Sequence, residues 1–180
     1  MRKTASFLAL GMLCSGACHA QQNDTRGFAL LYGVGPTTIE DEDGPGDVFD
    51  GSDTGWSLEV EYRFSVYFGL GLNRTSFGED TDFFNGTDTT IEVEGTGYFL
   101  RGYLPVSDRV TLSLRFGETA YDADVDPGFG TFLFDNAIDY GIAGDFNFNE
   151  SLALRLEHRI LDGERQEEGS ITTIGVRWQF

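Results

Sequence analysis

Residues 55–64 read GWSLEVEYRF, and this stretch decides the fold. Trp56, Leu58, Val60, Tyr62 and Phe64 alternate without interruption with Ser57, Glu59, Glu61 and Arg63. A period of two residues puts the apolar set on one face of a β-strand and the polar set on the other.

Seven other runs alternate in the same way, each about ten residues long and bounded by Gly, Asp, Asn, Ser and Pro. They lie near 26–35, 66–75, 90–104, 109–117, 137–147, 151–160 and 171–180. Within 90–104, Ile91 and Val93 share one parity while Tyr98, Leu100 and Leu104 fall on the other, so a β-bulge around Gly95 and Gly97 is predicted, turning Arg101 inward. The connections alternate in length. Short ones lie at Ser65, at 105–108 (PVSD) and at 148–150 (FNE); long ones span 36–54, 76–89, 118–136 and 162–169. This pattern predicts an all-β, eight-stranded antiparallel up-and-down barrel with one plain end and one elaborated end.

Alternation alone does not say which face is outside, since soluble and membrane barrels both alternate. The minority face holds Glu59, Glu61, Arg63, Arg101, Arg115, Asp139, Asp145, Arg155, Glu157, Arg159 and Arg177, interleaved with Gly, Ala, Ser and Thr. Opposite charges among small residues suit a narrow lumen closed by salt bridges, with the apolar face turned to lipid; a soluble barrel would instead show these charges to water. Aromatic residues gather at strand ends, with Trp56, Phe116 and Tyr140 toward the long connections. Phe64, Phe68, Tyr103, Phe146, Trp178 and Phe180 lie toward the short ones. Two such girdles are what a transmembrane barrel places at its interfaces.

Residues 1–20 carry Arg2-Lys3, an apolar run from Ala5 to Leu13 and the small-residue ending Ala17-Cys18-His19-Ala20. They read as a cleaved secretory signal peptide, with the cut after Ala20 preferred to one after Ala17. A lipoprotein cut at Cys18 is disfavoured by Ser15, where a Leu is expected. Residues 21–180 then form the barrel domain. Both cysteines leave with the signal, so neither disulfides nor thiol chemistry are expected. No later run of eighteen apolar residues offers a transmembrane helix.

The formal charge of the 180 residues is −18, and removing the signal leaves ten arginines against thirty acids, or −20. A surface so acidic excludes nucleic acid as a partner. Twenty of the acids fall in the four long connections, where only Arg165 opposes them. The segment 40–53, EDEDGPGDVFDGSD, makes Asp41, Asp43, Asp47, Asp50 and Asp53 a weak metal candidate. It lacks the ordered spacing of an EF-hand loop, and a solvated acidic loop is the preferred reading. A further reading has divalent cations bridge these loops to lipopolysaccharide.

His158 is the single histidine after residue 20, and no serine stands at the spacing a barrel lipid A deacylase would need. It reads as an interfacial or packing residue, so no enzyme activity and no cofactor are expected. Gly33, Gly69, Gly71, Gly141 and Gly175 lie within strands and read as close packing, not as nucleotide loops. Eight strands leave an interior that side chains can fill, so the charged lumen reads as a structural network; a narrow channel for small solutes or ions is the alternative.

The ending ITTIGVRWQF resembles the terminal strand of Gram-negative outer-membrane barrels, and the resemblance implies that Phe180 is read by the barrel-assembly machinery. GYLPVSDRVTLSLRFG (102–117) and DYGIAGDFNFNESLALRLEHR (139–159) resemble the small outer membrane protein beta-barrel family, similar to the transmembrane domain of outer membrane protein A and to opacity-type surface proteins. The likeness covers residues 24–180. It implies an outer-membrane location among lipid and lipopolysaccharide, periplasmic termini, and acidic loops outside. It further implies a structural or adhesion-like role toward an unspecified extracellular partner. No peptidoglycan-binding domain follows the barrel, so cell-wall anchoring is not expected.

Overall fold

A computed structural model describes residues 26–41, 51–84, 87–126, 130–133, 136–163 and 167–180. The signal-peptide assignment and Asp43, Asp47 and Asp50 lie outside these residues. Among the described residues nine strands follow one another: β1 (Gly27–Asp41), β2 (Gly51–Arg63), β3 (Phe68–Phe84), β4 (Thr87–Pro105), β5 (Val110–Asp126), β6 (Gly130–Leu133), β7 (Ala137–Asn147), β8 (Leu152–Gly163) and β9 (Glu167–Gln179). Consecutive strands from β1 to β5 and from β7 to β9 pair antiparallel, β7 pairs with β5, and β9 returns to β1 to close the wall. The short β6 pairs only with Asp122–Val125 of β5, outside that circuit, so the closed barrel has eight strands.

The three plain turns share one device. Ser65 Oγ accepts hydrogen bonds from the N–H groups of Tyr67 and Phe68, at 3.1 and 2.9 Å. Ser107 Oγ accepts from Arg109 and Val110, and Asn149 Oδ1 from Ser151 and Leu152. A short polar side chain that binds the backbone two and three residues on fixes a tight turn without a long loop.

The elaborated end differs from the expectation of loops. Much of 36–54, 76–89, 118–136 and 162–169 is strand: β1 pairs with β2 as far as Ile39↔Gly51, and β3 with β4 as far as Phe84↔Thr87. Fourteen of the twenty acids there lie on these extended strands, and Glu42, Asp43, Asp47, Asp50, Asp135 and Glu164 lie outside the described residues. The expected bulge in β4 is likewise absent. Val93, Phe99, Arg101 and Tyr103 keep one inward parity along the whole strand. The irregularity lies instead in β3, between Ser76 and Glu79, where Gly78 has φ of 96°. A side chain at Gly78 would meet Asp53 in that left-handed conformation, so glycine is required. Thr37 Oγ1 of β1 reaches across Gly55 to donate to the Phe77 carbonyl at 2.6 Å, which ties the bulge to the wall.

The outward face is apolar around the whole barrel, with Leu30, Val60, Leu72, Leu100, Leu114, Ile142, Leu156 and Ile174 all exposed. Such a continuous exposed apolar belt is stable only where lipid, not water, surrounds it. A closed wall pairs every spanning backbone group within the protein, as lipid requires. Among the described residues no helix is long and apolar enough to cross a membrane; the strands do so.

Candidate functional site

The lumen inverts the usual distribution of polarity. Six arginines, Arg63, Arg101, Arg115, Arg155, Arg159 and Arg177, are buried there with five acids, Glu59, Glu61, Asp139, Asp145 and Glu157. All eleven charged positions singled out from the sequence therefore face inward, each because it shares parity with the small residues of its strand.

These groups interlock across the barrel. Arg101 Nη2 donates to Glu59 at 3.0 Å and to Glu157 at 2.7 Å. Arg115 pairs with Glu59 through Nη1, and its Nη2 donates to Asn73 at 2.8 Å and Asp139 at 2.7 Å. Asp139 also accepts two hydrogen bonds from Arg159, at 3.2 and 2.7 Å, and one from Thr119. Arg159 Nη1 reaches over to donate to Thr75 at 2.9 Å. Lower in the barrel, Arg155 grips Asp145 with two bonds of 2.6 and 2.8 Å, and Arg177 lies 3.3 Å from the same carboxylate.

An aromatic residue sits in the middle of this network. Phe99 lies under the guanidinium of Arg115, 4.0 Å from its ring centre, and 4.9 Å from that of Arg101. It has room there because Gly71 carries no side chain; a Cβ would come within 2.5 Å of the Phe99 ring. Tyr103 also points inward, 5% exposed, in contrast to its expected place in the girdle. Its hydroxyl donates to Glu61 and its ring lies 3.7 Å beneath the Arg63 guanidinium.

An apolar layer crosses the lumen above the charges. Phe77, Val93, Tyr121, Ala137, Leu161 and Ile171 pack together there, with the Phe77 and Tyr121 rings edge to face at 5.5 Å. Six strands contribute to this layer, and Thr37 and Gly55 complete it from the other two. Alternation alone did not reveal it, nor the polar helpers Ser57, Asn73, Thr75 and Thr119, whose inward parity was visible but whose partners were not.

The remaining singled-out residues lie apart. Asp41 is on β1, with its backbone opposite Glu167. Asp53 follows on β2, its Oδ1 accepting from the Thr54 N–H. Among the described residues no three His, Cys, Asp or Glu side chains gather as metal ligands. His158 faces outward at the upper edge of the apolar belt, 2.9 Å from Thr172 Oγ1, while Glu157 beside it faces the lumen. Phe180 closes the seam. Its N–H donates to the Phe28 carbonyl at 2.9 Å and its exposed ring meets Trp178 edge to face at 5.8 Å.

A closed eight-stranded wall, an apolar exterior and a charged, filled interior define a membrane-spanning up-and-down barrel. The model of the outer membrane protein beta-barrel domain matches residues 5–180, and the chain belongs to that family, whose proteins reside in the outer membrane. Among solved structures, Neisserial surface protein A superposes with a TM-score of 0.68 at 13% identity, over 86% of this chain and 97% of that one. Ail of Yersinia pestis, in complex with the heparin analogue sucrose octasulfate, gives 0.63 at 14%, over 86% and 99%. OprG of Pseudomonas aeruginosa gives 0.59 at 13%, over 88% and 99%. At these identities the likeness concerns the fold. No curated protein matches the sequence.

Proposed function

We propose that the protein is a non-conducting, non-enzymatic outer-membrane barrel that presents acidic β-hairpins to the exterior for surface interaction. The observation that carries this reading is the division of labour along the barrel axis. The lumen is filled by mutually paired charges and crossed by an apolar layer, while twenty acids fall in the sequence of the long connections, fourteen of them on the extended outer strands. In barrels of this kind the longer connections are extracellular and the short turns periplasmic.

The sign of the charge narrows the partner. Ail is seen with a sulfated polyanion. Here twenty acids stand against Arg165 in the long connections, so a polyanion is repelled and a cationic surface attracted. Phe180, exposed on the last strand, serves in this reading as the feature recognised during barrel assembly.

Cells displaying the protein should adhere to polycation-coated supports and not to sulfated ones. A variant with these twenty acids replaced by Asn and Gln should lose that preference. Equal adhesion of both forms to both supports would remove the surface role.

A further inference from the structure

Of the six buried arginines, five lie within 3.3 Å of a buried carboxylate: Arg101, Arg115, Arg155, Arg159 and Arg177. Arg63, the last residue of β2, is the exception. It is 3% exposed, and among the described residues no carboxylate lies within ion-pair distance of it. Glu61, two residues away on the same face, does not supply one: its carboxylate accepts from the Tyr103 hydroxyl and lies 3.7 Å from Arg101. Six cations against five anions leave one positive charge over in the lumen. A guanidinium cannot shed its proton to suit a dry site, so the surplus calls for an anion.

The register explains why the wall offers none. Arg63 stands between Gly27 of β1 and Gly69 of β3, so neither adjacent strand carries a side chain at its level. The guanidinium is nonetheless held in place. The Tyr103 ring lies 3.7 Å beneath one face, and Nη2 donates to the Val66 carbonyl at 3.3 Å, while Nε has no hydrogen-bond partner. Ring and carbonyl bring partial negative charge but no counter-ion. With one face covered, a ligand meets the guanidinium in its own plane, where the two oxygens of a carboxylate match the fork of N–H groups. One surplus charge also matches one monoanion. We propose that Arg63 is a binding site for a small monocarboxylate that enters from the short-turn end of the barrel. The site is blind, because the lumen beyond it is filled by paired charges and crossed by the apolar layer of Phe77, Tyr121 and Ile171, so the ligand is held and not passed on.

The probe is acetate, added to the protein refolded in detergent, with chloride holding the ionic strength constant. The urea midpoint should rise with acetate, the folding equilibrium gaining about a hundredfold once acetate stands at about a hundred times its dissociation constant. Arg63→Gln should abolish the response, and Arg109→Gln, which removes an exposed arginine on the turn before β5, should leave it intact. Binding is also read on the native protein alone, so that the outcome does not hang on Arg63→Gln folding: the resonance of isotopically labelled acetate should broaden, and formate but not chloride should restore it. The assignment is overturned if chloride stabilises as well as acetate, which would make the effect one of screening. It is equally overturned if formate does not displace the labelled acetate, or if Arg63→Gln responds like the native protein.

Discussion

Glu59 shows what a single residue does in this barrel. It touches Arg101 and Arg115 directly and lies 3.8 Å from Arg155, so one carboxylate holds three strands' cations in place. Removing an arginine strands such a carboxylate in a dry interior. Arg101→Met should destabilise the barrel by about 3–5 kcal/mol in urea unfolding, because Glu59 and Glu157 lose their shared partner. Arg74→Met removes an exposed, solvent-screened pair with Glu94 and should leave the unfolding midpoint close to native. Similar costs for the two variants would mean that the lumen network is solvated. Parity alone made the eleven lumen charges legible in the sequence. It could not say who pairs with whom, because partners such as Arg159 and Thr75 come from strands far apart in the chain. Tyr103 shows the opposite failing. It shares the parity of Arg101, yet an aromatic near a turn also suits a girdle, and only the Arg63 ring contact and the Glu61 hydroxyl bond settle its place.

At the scale of the strand, the polarity pattern changes meaning along β4. Below the rim, outward is lipid, so Tyr98, Leu100 and Leu104 point out; above it, outward is water, so Val93 points in and Glu94 out. The apparent parity switch in the sequence was this change of solvent, not an inserted residue. The hairpin length was more legible than the expected loops allowed. Asn85-Gly86, the two residues left between Phe84 and Thr87, is the dipeptide that two-residue hairpins favour. Gly78→Val should cost about 1–3 kcal/mol, since a β-branched residue resists positive φ and would strike Asp53. A native-like unfolding midpoint would count against the bulge. The outer strands also align acids in register: Glu94 opposes Asp122. Like charges directly opposite are unfavourable, and salt at about 1 M shortens their reach to about 3 Å. Protease cleavage of the outer hairpins should therefore slow as salt rises; an unchanged rate would show that these rows do not repel.

For the whole molecule, the apolar exterior and the paired interior make one claim about solvent: lipid outside, neither bulk water nor lipid within. Leu156→Arg, on the lipid face, should cost about 2–4 kcal/mol if it lies near the bilayer midplane, and refolding yield into vesicles should fall. The unboiled native protein should migrate differently from the boiled form in detergent gels, as a closed barrel that resists detergent does. In the proposed reading the large negative charge belongs to the exterior connections, where twenty of the thirty acids fall in the sequence, a distribution visible only once the strands are sorted by side of the membrane. Whether the lumen is closed is tested most directly by single-channel recording of refolded protein in planar bilayers. The paired charges and the layer of Phe77, Tyr121 and Ile171 lead to a quiet trace with no discrete steps. Reproducible unitary openings would contradict a sealed barrel.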